Sequence, residues 1–310
     1  MTSGRVRRIL VKVPGSTSNL GPGFDCMGLA LGLCNEVLLE AHPEPGEPVC
    51  ETAGEGAGRL PSSRENLLLR AASLIIPDLT RHRLVFKARN RVPVSRGLGS
   101  SGAAIVAGLL AANHIFGRPR FSLDDLFERA ISLEGHPDNV AAAIYGGLVV
   151  SVKARAGFIP FPLKPHRSLA AVVCIPELEL ATAQARAVLP QDYSRRAAVL
   201  NVSRALVLSS ALERGLWDRL EEAMADEFHQ PYRADLVPGF EDVLAAARDH
   251  GVCGAALSGA GSTMLALCRR GPGAAAIGRA MQAAFARHRV KSRFLVLPVD
   301  RRGARLSRPR

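Results

Sequence analysis

A glycine- and serine-rich stretch, VPVSRGLGSSGAA at residues 92–104, contains the residue types that bind phosphate groups. Gly97 and Gly99 can adopt positive φ, which lets the backbone come close to a bulky anion. Ser100 and Ser101 add hydroxyl groups where an apolar helix is predicted to begin, and the first N–H groups of a helix have no partner within it. These groups lie at the positive end of the helix dipole, so the stretch predicts an anion site. A capped helix that follows a glycine turn is the alternative explanation.

Asn19 and Asp25 are the polar residues of interest in the segment 15–33, which we interpret as a long, irregular, functional loop between strands. An amide and a carboxylate on one loop can together receive an ammonium group and a hydroxyl group. Farther along the chain, Thr182 and Arg186 are spaced to share one face of a helix, and this pair suits a carboxylate ligand. Turn formation by Asn19 and Asp25, and a helix cap with a surface arginine, are the alternatives.

Glu134 follows a helix that Ser122 is predicted to cap, and it begins the cluster EGHPDNVAAAIYGG. Mg²⁺ typically takes one or two carboxylates together with phosphate oxygens, so Glu134 is a candidate ligand for the Mg²⁺ that accompanies ATP. A structural turn at His136 and Pro137 is the alternative explanation of the cluster.

The elements that must position these residues alternate between strands and helices. Pro93 favours an extended residue before it, so the glycine-rich stretch is predicted to leave a strand and enter a helix. Residues 42–63 are predicted to form a surface excursion or loose hairpin, and the tail after Asp300 is predicted to be disordered. Strands are predicted at 5–13, 34–40, 83–89, 151–163, 169–175 and 291–299, with helices at 65–76, 123–134 and 273–287, helical spacing through 193–227, and a strand, turn and strand at 254–268.

The composition of the 310-residue chain limits its function class. The net charge of +12 would suit nucleic-acid binding, but the arginines are spread along the chain and only 5% of residues are aromatic, so we expect no nucleic-acid partner. No apolar run reaches the ~20 residues that span a bilayer, and no apolar signal segment follows the N-terminal basic residues. We therefore expect a cytoplasmic protein without a membrane partner.

Together, four motifs and one further short pattern resemble those of the GHMP kinases, and of homoserine kinases in particular. The stretch at 92–104 is similar to the ATP-binding signature of the superfamily, and VPGSTSNLGPGFDCMGLALGL at 13–33 is similar to the opening signature of homoserine kinases. The cluster at 134–147 is similar to a hallmark of the same family, with Ala142 in place of proline. SGAGST resembles the third superfamily motif, SGAGPT, with Ser262 in place of proline, and TAQARAVLP matches a further homoserine kinase pattern.

The resemblance implies an α+β, two-domain GHMP kinase fold. The expected domains are a ribosomal-protein-like α+β domain at residues 1–165, which binds ATP, and an α+β sandwich domain at 166–310, with the active site between them. The implied reaction is ATP-dependent phosphorylation of the side-chain hydroxyl of L-homoserine in threonine biosynthesis. A kinase for a mevalonate-type alcohol and a non-catalytic phosphate- or nucleotide-binding protein remain the alternatives. We also expect a homodimer.

The resemblance also assigns residues to roles. ATP would be bound by residues of the glycine-rich stretch: Pro93, Ser95, Arg96, Gly97, Leu98, Gly99, Ser100, Ser101, Gly102 and Ala103. Homoserine would be bound by Asn19, Asp25, His136, Asn139, Thr182, Arg186, Arg233 and Gly259. Mg²⁺ would be held by Ser101 and Glu134, with Glu128 as the fallback ligand.

Asn19, Asp25 and Asn139 are the expected catalytic residues. Where mevalonate kinase and galactokinase resemble this segment they have an aspartate proposed as general base, but Asn139 occupies that place here. Because an amide cannot accept a proton at neutral pH, we expect catalysis by positioning and charge neutralisation.

Overall fold

The computed structural model describes residues 5–116, 121–251 and 253–308, which form two sheets with helices packed against them. The strands are β1 (Arg7–Asn19), β2 (Gly23–His42), β3 (Val49–Gly54), β4 (Arg83–Asn90), β5 (Leu148–Ala154), β6 (Gly157–Leu163), β7 (Leu169–Pro176), β8 (Cys253–Leu257), β9 (Met264–Arg269), β10 (Ser292–Pro298) and β11 (Arg305–Ser307). The α-helices are α1 (Leu67–Ser73), α2 (Ser100–Ile115), α3 (Leu123–Glu134), α4 (Asp138–Tyr145), α5 (Thr182–Ala187), α6 (Arg195–Arg214), α7 (Leu220–Ala223), α8 (Gln230–Arg233), α9 (Phe240–Asp249) and α10 (Pro272–Arg287).

The first sheet has the strand order β11-β1-β2-β4-β3, and β5 joins it by pairing with both β2 and β6. The apolar residues of β1, β2 and β4 alternate with polar ones, which places one side of the sheet against α1, α2, α3 and α4 in a common core. The helix predicted after the glycine-rich stretch is confirmed as α2. The predicted cap of α3 is confirmed as well, because Ser122 and Asp125 form a reciprocal capping box.

The second sheet has the order β10-β7-β9-β8. Strand β7 is buried at every position, as its continuous apolar run predicts. One side of this sheet packs against α9 and α10. The other side shares a core with α6, α7 and residues of β2 and β5 from the first sheet. The elements of the two sheets therefore meet through a continuous apolar layer.

The segment 15–33 differs from its predicted irregular loop, because most of it is a long antiparallel hairpin. Strand β1 pairs with β2 from Arg7 to Asn19, with register shifts after Pro14 and after Ser18. The polar residues remain in the strand because distant groups satisfy their hydroxyls. Ser16 donates to the side chain of Asn139 at 2.9 Å, for example. Glycine, proline and serine indicated a loop locally, but tertiary hydrogen bonds override that preference.

Four other predictions are wrong in detail. Residues 49–54 form a strand parallel to β4 and not a hairpin of the 42–63 segment, and the predicted strand at 151–163 is divided between the antiparallel strands β5 and β6. The helical region 193–227 ends its long helix at Arg214 and continues in short turns. The tail is ordered at 305–307, where β11 pairs with β1. Among the described residues, no helix is long and apolar enough to cross a membrane.

Candidate functional site

A cavity of about 340 Å³ lies where the start of α2 meets the β1–β2 turn, the starts of α4 and α5, and the β8–β9 turn. Most of the residues that the sequence assigned to ATP, metal and substrate line this one cavity. They are Asn19, Asp25, Ser95, Arg96, Gly97, Leu98, Gly99, Ser100, Ser101, Glu134, His136, Asn139, Thr182, Arg186, Arg233 and Gly259. Pro93, Gly102 and Ala103 do not line it, and all three are buried behind the turn.

The glycine-rich turn before α2 has a backbone that only glycine can provide at two positions. Gly97 and Gly99 have φ of 71° and 67°, in the left-handed region. A Cβ at Gly97 would lie 2.1 Å from the carbonyl oxygen of Ser258, and one at Gly99 would lie 2.1 Å from Oγ of Ser16. No side chain caps the start of α2, so its first N–H groups are available to an anion in the cavity.

Ser95 and Arg96 form the outer part of the same turn. Ser95 has a φ of 55°, and its carbonyl oxygen accepts a hydrogen bond from the backbone N–H of Leu180 at 3.3 Å. The Arg96 guanidinium lies 3.4 Å from the carboxylate of Glu179, which also accepts a 2.6 Å hydrogen bond from Arg59. Glu179 thereby ties both arginines to the loop that precedes α5.

Ser101 and Glu134 form the acidic corner of the cavity. The hydroxyl of Ser101 lies 2.6 and 2.5 Å from the two carboxylate oxygens of Glu134, and burial raises the pKa of that carboxyl group. Glu128 instead accepts a hydrogen bond from the backbone N–H of Phe158 at the β5–β6 hairpin, outside the cavity lining. A hydroxyl and a carboxylate are the hard oxygen ligands that Mg²⁺ prefers, so Ser101 and Glu134 suit it chemically. No group of three acidic, histidine or cysteine side chains converges in the part of the chain that the structure describes.

Asp25 and Arg186 form a bidentate ion pair in the wall of the same cavity. The two guanidinium nitrogens of Arg186 lie 3.0 and 2.6 Å from the carboxylate oxygens of Asp25. Both side chains are only half-buried, so a ligand can reach them. Asp25 raises the pKa of Arg186 against the opposing effect of burial. The wall therefore presents a negative and a positive group side by side.

Arg233 lies beside this pair and is 1% exposed. Its Nε donates to the carbonyl oxygen of Ala185 at 2.9 Å, and one Nη donates to that of Gly259 at 3.2 Å. Burial and the nearby positive charge of Arg186 lower the pKa of Arg233 to about 10, so it remains a cation at neutral pH. The guanidinium groups of Arg233 and Arg186 lie 5.3 and 5.7 Å from the centre of the Phe24 ring.

His229 is a site residue that the sequence analysis missed. It is fully buried, its ring stacks on Phe24, and its Nε2 lies 2.9 Å from the carbonyl oxygen of Gly21. A carbonyl can only accept, so Nε2 carries the proton. Burial lowers the pKa of His229 and keeps the ring neutral, which leaves Nδ1 to accept from Arg233 at 3.3 Å. His229 thus connects the β1–β2 turn to the buried arginine.

His136 and Asp138 form a second pair that the sequence analysis only partly identified. Nδ1 of His136 lies 2.6 Å from the carboxylate of Asp138, which is 1% exposed and also accepts from the backbone N–H of Asn139 at 2.6 Å. Burial alone would lower the pKa of His136, but Asp138 and Glu134 raise it above the ordinary value. Asp138 and Glu134 therefore favour the positively charged form of His136. Asp138 was next to it in the sequence, but nothing there indicated that one carboxylate serves both His136 and the helix start.

Asn19 and Asn139 are held by the protein at both ends of their amides. Nδ2 of Asn19 donates to the carbonyl oxygen of Gly259 at 2.9 Å, and its Oδ1 accepts from the backbone N–H of Asp25 at 3.1 Å. Asn139 accepts from Ser16 and donates to Ser18 at 3.1 Å. The two amides therefore fix the turns around the cavity.

Thr182 and Gly259 complete the predicted set. Thr182 is exposed at the first position of α5 and lines the cavity, one turn before Arg186. Gly259 has a φ of 57°, and its carbonyl oxygen accepts from both Asn19 and Arg233.

Comparisons with known proteins identify the family of this chain. The family models for the GHMP kinases N terminal domain and the GHMP kinases C terminal match residues 66–147 and 208–287. The chain is 44% identical to homoserine kinase of Moorella thermoacetica, over 91% of this chain and 94% of that protein. It is 42% identical to homoserine kinase of Carboxydothermus hydrogenoformans, over 96% of each.

Solved structures give the same result. The crystal structure of homoserine kinase from Cytophaga hutchinsonii superposes with a TM-score of 0.87 at 29% identity, covering 99% of both chains. The structure of L. major mevalonate kinase in complex with R-mevalonate shares the fold, with a TM-score of 0.66 at 18% identity over 97% of each chain. The predicted α+β GHMP kinase fold is confirmed, and the chain belongs to the homoserine kinase family of GHMP kinases.

Proposed function

We propose that this chain transfers the γ-phosphoryl group of ATP to the side-chain hydroxyl of L-homoserine, a step of threonine biosynthesis. The observation that carries the choice of acceptor is the Asp25–Arg186 pair beside Arg233. An α-amino acid has an ammonium and a carboxylate on neighbouring positions, and this wall offers a carboxylate and two guanidinium groups. Asp25 would receive the ammonium, and the two arginines would receive the carboxylate. His136 and Thr182 also line this cavity and would contact the same substrate.

ATP would bind in the same cavity, at the start of α2. Its phosphates would lie against the N–H groups at the start of α2, next to Gly97, Gly99 and Ser100. Leu60, Pro61 and Val94 add apolar surface to the lining, which suits an adenine ring.

Mg²⁺ would be held by Ser101 and Glu134 together with phosphate oxygens. When bound, it would supply positive charge that neutralises the triphosphate during transfer. The short Ser101–Glu134 contact keeps the two ligands in one corner of the cavity, next to the helix start that binds the phosphates. Glu128 is occupied at the β5–β6 hairpin, which supports Glu134 as the ligand.

Catalysis would need no strong protein base. Phosphoryl transfer has a loose transition state, so alignment of the acceptor hydroxyl and neutralisation of charge supply most of the acceleration. Asn19 and Asn139 would orient the acceptor through the turns that they fix, and Asp25 would hold its ammonium group. The proton of the acceptor hydroxyl would leave to a phosphate oxygen or to water. The amide of Asn139 supports this view, because an amide cannot accept a proton at neutral pH and both of its ends are hydrogen-bonded within the protein, to Ser16 and to Ser18.

Release of ADP with a panel of acceptors tests the proposal. We expect turnover with L-homoserine and at least a hundredfold lower kcat/KM with mevalonate, which lacks the ammonium group. Phosphorylation of mevalonate but not of homoserine would favour the mevalonate-type alternative. Nucleotide binding without turnover of any acceptor would favour the binding-protein alternative.

The proposal also includes a cytoplasmic homodimer without a nucleic-acid partner. Dispersed arginines and scarce aromatic residues support the absence of nucleic-acid binding. A shift of nucleic acid by this protein in a gel assay at physiological ionic strength would contradict that absence.

A further inference from the structure

The outward side of α6 has large apolar residues that the core does not use. Val199, Val202 and Leu206 are 62%, 60% and 69% exposed. We define the α6 outer face as the stripe that contains them, which consists of Arg195, Val199, Val202, Leu206, Ser209 and Glu213. These positions alternate spacings of four and three residues, the repeat by which one helix packs along another. The opposite side of α6 already supplies the core, with Leu208, Ala211 and Leu212.

The two ends of the α6 outer face have opposite charges, each at the unfavourable end of the helix. Arg195 begins α6, where the positive end of the helix dipole disfavours a cation, and no acidic residue lies in that turn. Glu213 is exposed in the last turn, where the negative end disfavours an anion. One of its oxygens accepts the backbone N–H of Lys164 at 3.1 Å. An antiparallel neighbour with the reverse order of charges would relieve both ends.

The same face of a second copy provides that neighbour. If two α6 helices cross antiparallel about a two-fold axis beside Arg204, Val202 of one copy lies opposite Leu206 of the other. The same alignment places Val199 opposite Ser209, and Arg195 opposite Glu213 at both ends, because all three pairings share one centre. Arg204 is at the height of this axis but on the opposite side of α6, where it donates a 3.2 Å hydrogen bond to Glu227, so the centre of the α6 outer face is left to apolar residues. The face is therefore complementary to itself, as a two-fold interface requires.

We propose that two copies of this chain associate through the α6 outer face, with their α6 helices antiparallel. This inference specifies the surface of the homodimer included in the proposed function. It does not depend on the identity of the acceptor. The inner side of α6 also reaches the substrate end, because Asn201 donates to Asp226 at 2.8 Å, and Asp226 accepts the backbone N–H of His229 at 2.9 Å. Association of two copies through α6 would therefore stabilise α8, the short helix that contains Arg233.

The mass of the full-length chain in solution tests the interface, by light scattering after size exclusion at several concentrations. We expect the wild type to have twice the monomer mass of 33.0 kDa. Leu206→Glu would bury two like charges at the centre and should raise the dimer Kd at least a hundredfold. Leu123→Glu is the matched control, since Leu123 is 52% exposed at the start of another helix, and it should leave the dimer intact. A monomeric wild type, or equal behaviour of the two variants, would overturn the proposal.

Charge reversal tests the antiparallel register. Arg195→Glu and Glu213→Arg each place like charges opposite one another at both ends, and each should raise the dimer Kd about tenfold or more. The double variant restores opposite charges and should return the Kd close to that of the wild type. Glu213→Arg also loses the hydrogen bond from the backbone of Lys164, but the double variant loses it equally. A recovered dimer Kd in the double variant therefore reports the contact between residues 195 and 213 of the two copies. If the dimer Kd of the double variant does not return towards that of the wild type, the proposed antiparallel register is wrong. Homoserine kinase activity is measured separately: an active monomer contradicts the interface alone, and an inactive dimer contradicts the function alone.

Discussion

Replacement of Arg186 by alanine should weaken homoserine binding while leaving ATP binding intact. Arg186 contacts Asp25 through two hydrogen bonds, whereas Ser101 and Glu134 bond to each other. In the proposed complex its guanidinium also contacts the substrate carboxylate. A hydrogen bond to a charged group contributes about 1.5–3 kcal/mol, and the half-exposed position of Arg186 favours the lower value.

A loss of about 1.5 kcal/mol corresponds to about a tenfold change in binding, since 1.36 kcal/mol is tenfold. We therefore expect the homoserine KM of Arg186→Ala to rise about ten- to thirtyfold, with the KM for ATP within about twofold of the wild type. Buried Arg233 remains in the variant and limits the loss. Arg186→Lys keeps the charge but loses the bidentate geometry, so its KM should be intermediate.

The measurement is the initial rate of ADP release at saturating ATP, with homoserine varied. Arg219→Ala is the matched control, because Arg219 is an exposed arginine with an ion pair to Asp218 outside the cavity. It should behave as the wild type does. An unchanged homoserine KM in Arg186→Ala, or an equal rise in the KM for ATP, would refute the assignment of Arg186 to the acceptor end.

Three further predictions concern the acidic corner and the two histidines. Glu134→Gln should lower kcat at least tenfold at any Mg²⁺ concentration while the variant stays folded by circular dichroism; wild-type kcat would exclude Glu134 as the ligand. In the folded wild type, the pKa of His136 is raised, so its positive charge is present at low pH and is lost as the pH rises through that value. We therefore expect the homoserine KM to rise at alkaline pH, as His136 loses its charge. Asp138→Asn removes a carboxylate that raises this pKa, so the rise in KM should begin at lower pH. An unshifted profile would contradict the pairing of His136 with Asp138. His229→Leu should raise the homoserine KM more than the KM for ATP and lower the melting temperature, whereas equal kinetic effects would indicate general unfolding.

Short motifs were sufficient to predict most of the cavity lining, and in the glycine-rich stretch the residues of the motif themselves dictate the local geometry. Gly97 and Gly99 have the positive φ that the sequence suggested. The sequence could not reveal partners that the fold brings from far along the chain. His229 acts through Gly21, a residue more than two hundred positions away, and no local pattern indicates that contact.

The ordered tail is a similar case. Its arginine-rich composition predicted disorder, and a single residue of that segment shows why the prediction failed. Arg305 forms two 2.9 Å contacts with Asp300, and the strand beyond that ion pair extends the first sheet beside β1. Composition describes an isolated tail, but a sheet edge offers unpaired backbone groups that such a tail can satisfy.

The turns around the cavity are in direct contact with one another, which supports the proposal that alignment of the two substrates takes the place of a strong protein base. Gly97 lies so close to Ser258 that a Cβ would overlap its carbonyl oxygen, and the hydroxyl of Ser258 donates to the carbonyl oxygen of Gly97 at 2.6 Å. One residue on, the carbonyl oxygen of Gly259 accepts from both Asn19 and Arg233. The proposed phosphate turn, the proposed acceptor turn and Arg233 are therefore joined through Ser258 and Gly259. In the proposed complex, any shift of one turn relative to the other would break these bonds, so we expect the fold to set the separation between donor phosphate and acceptor hydroxyl before either substrate binds.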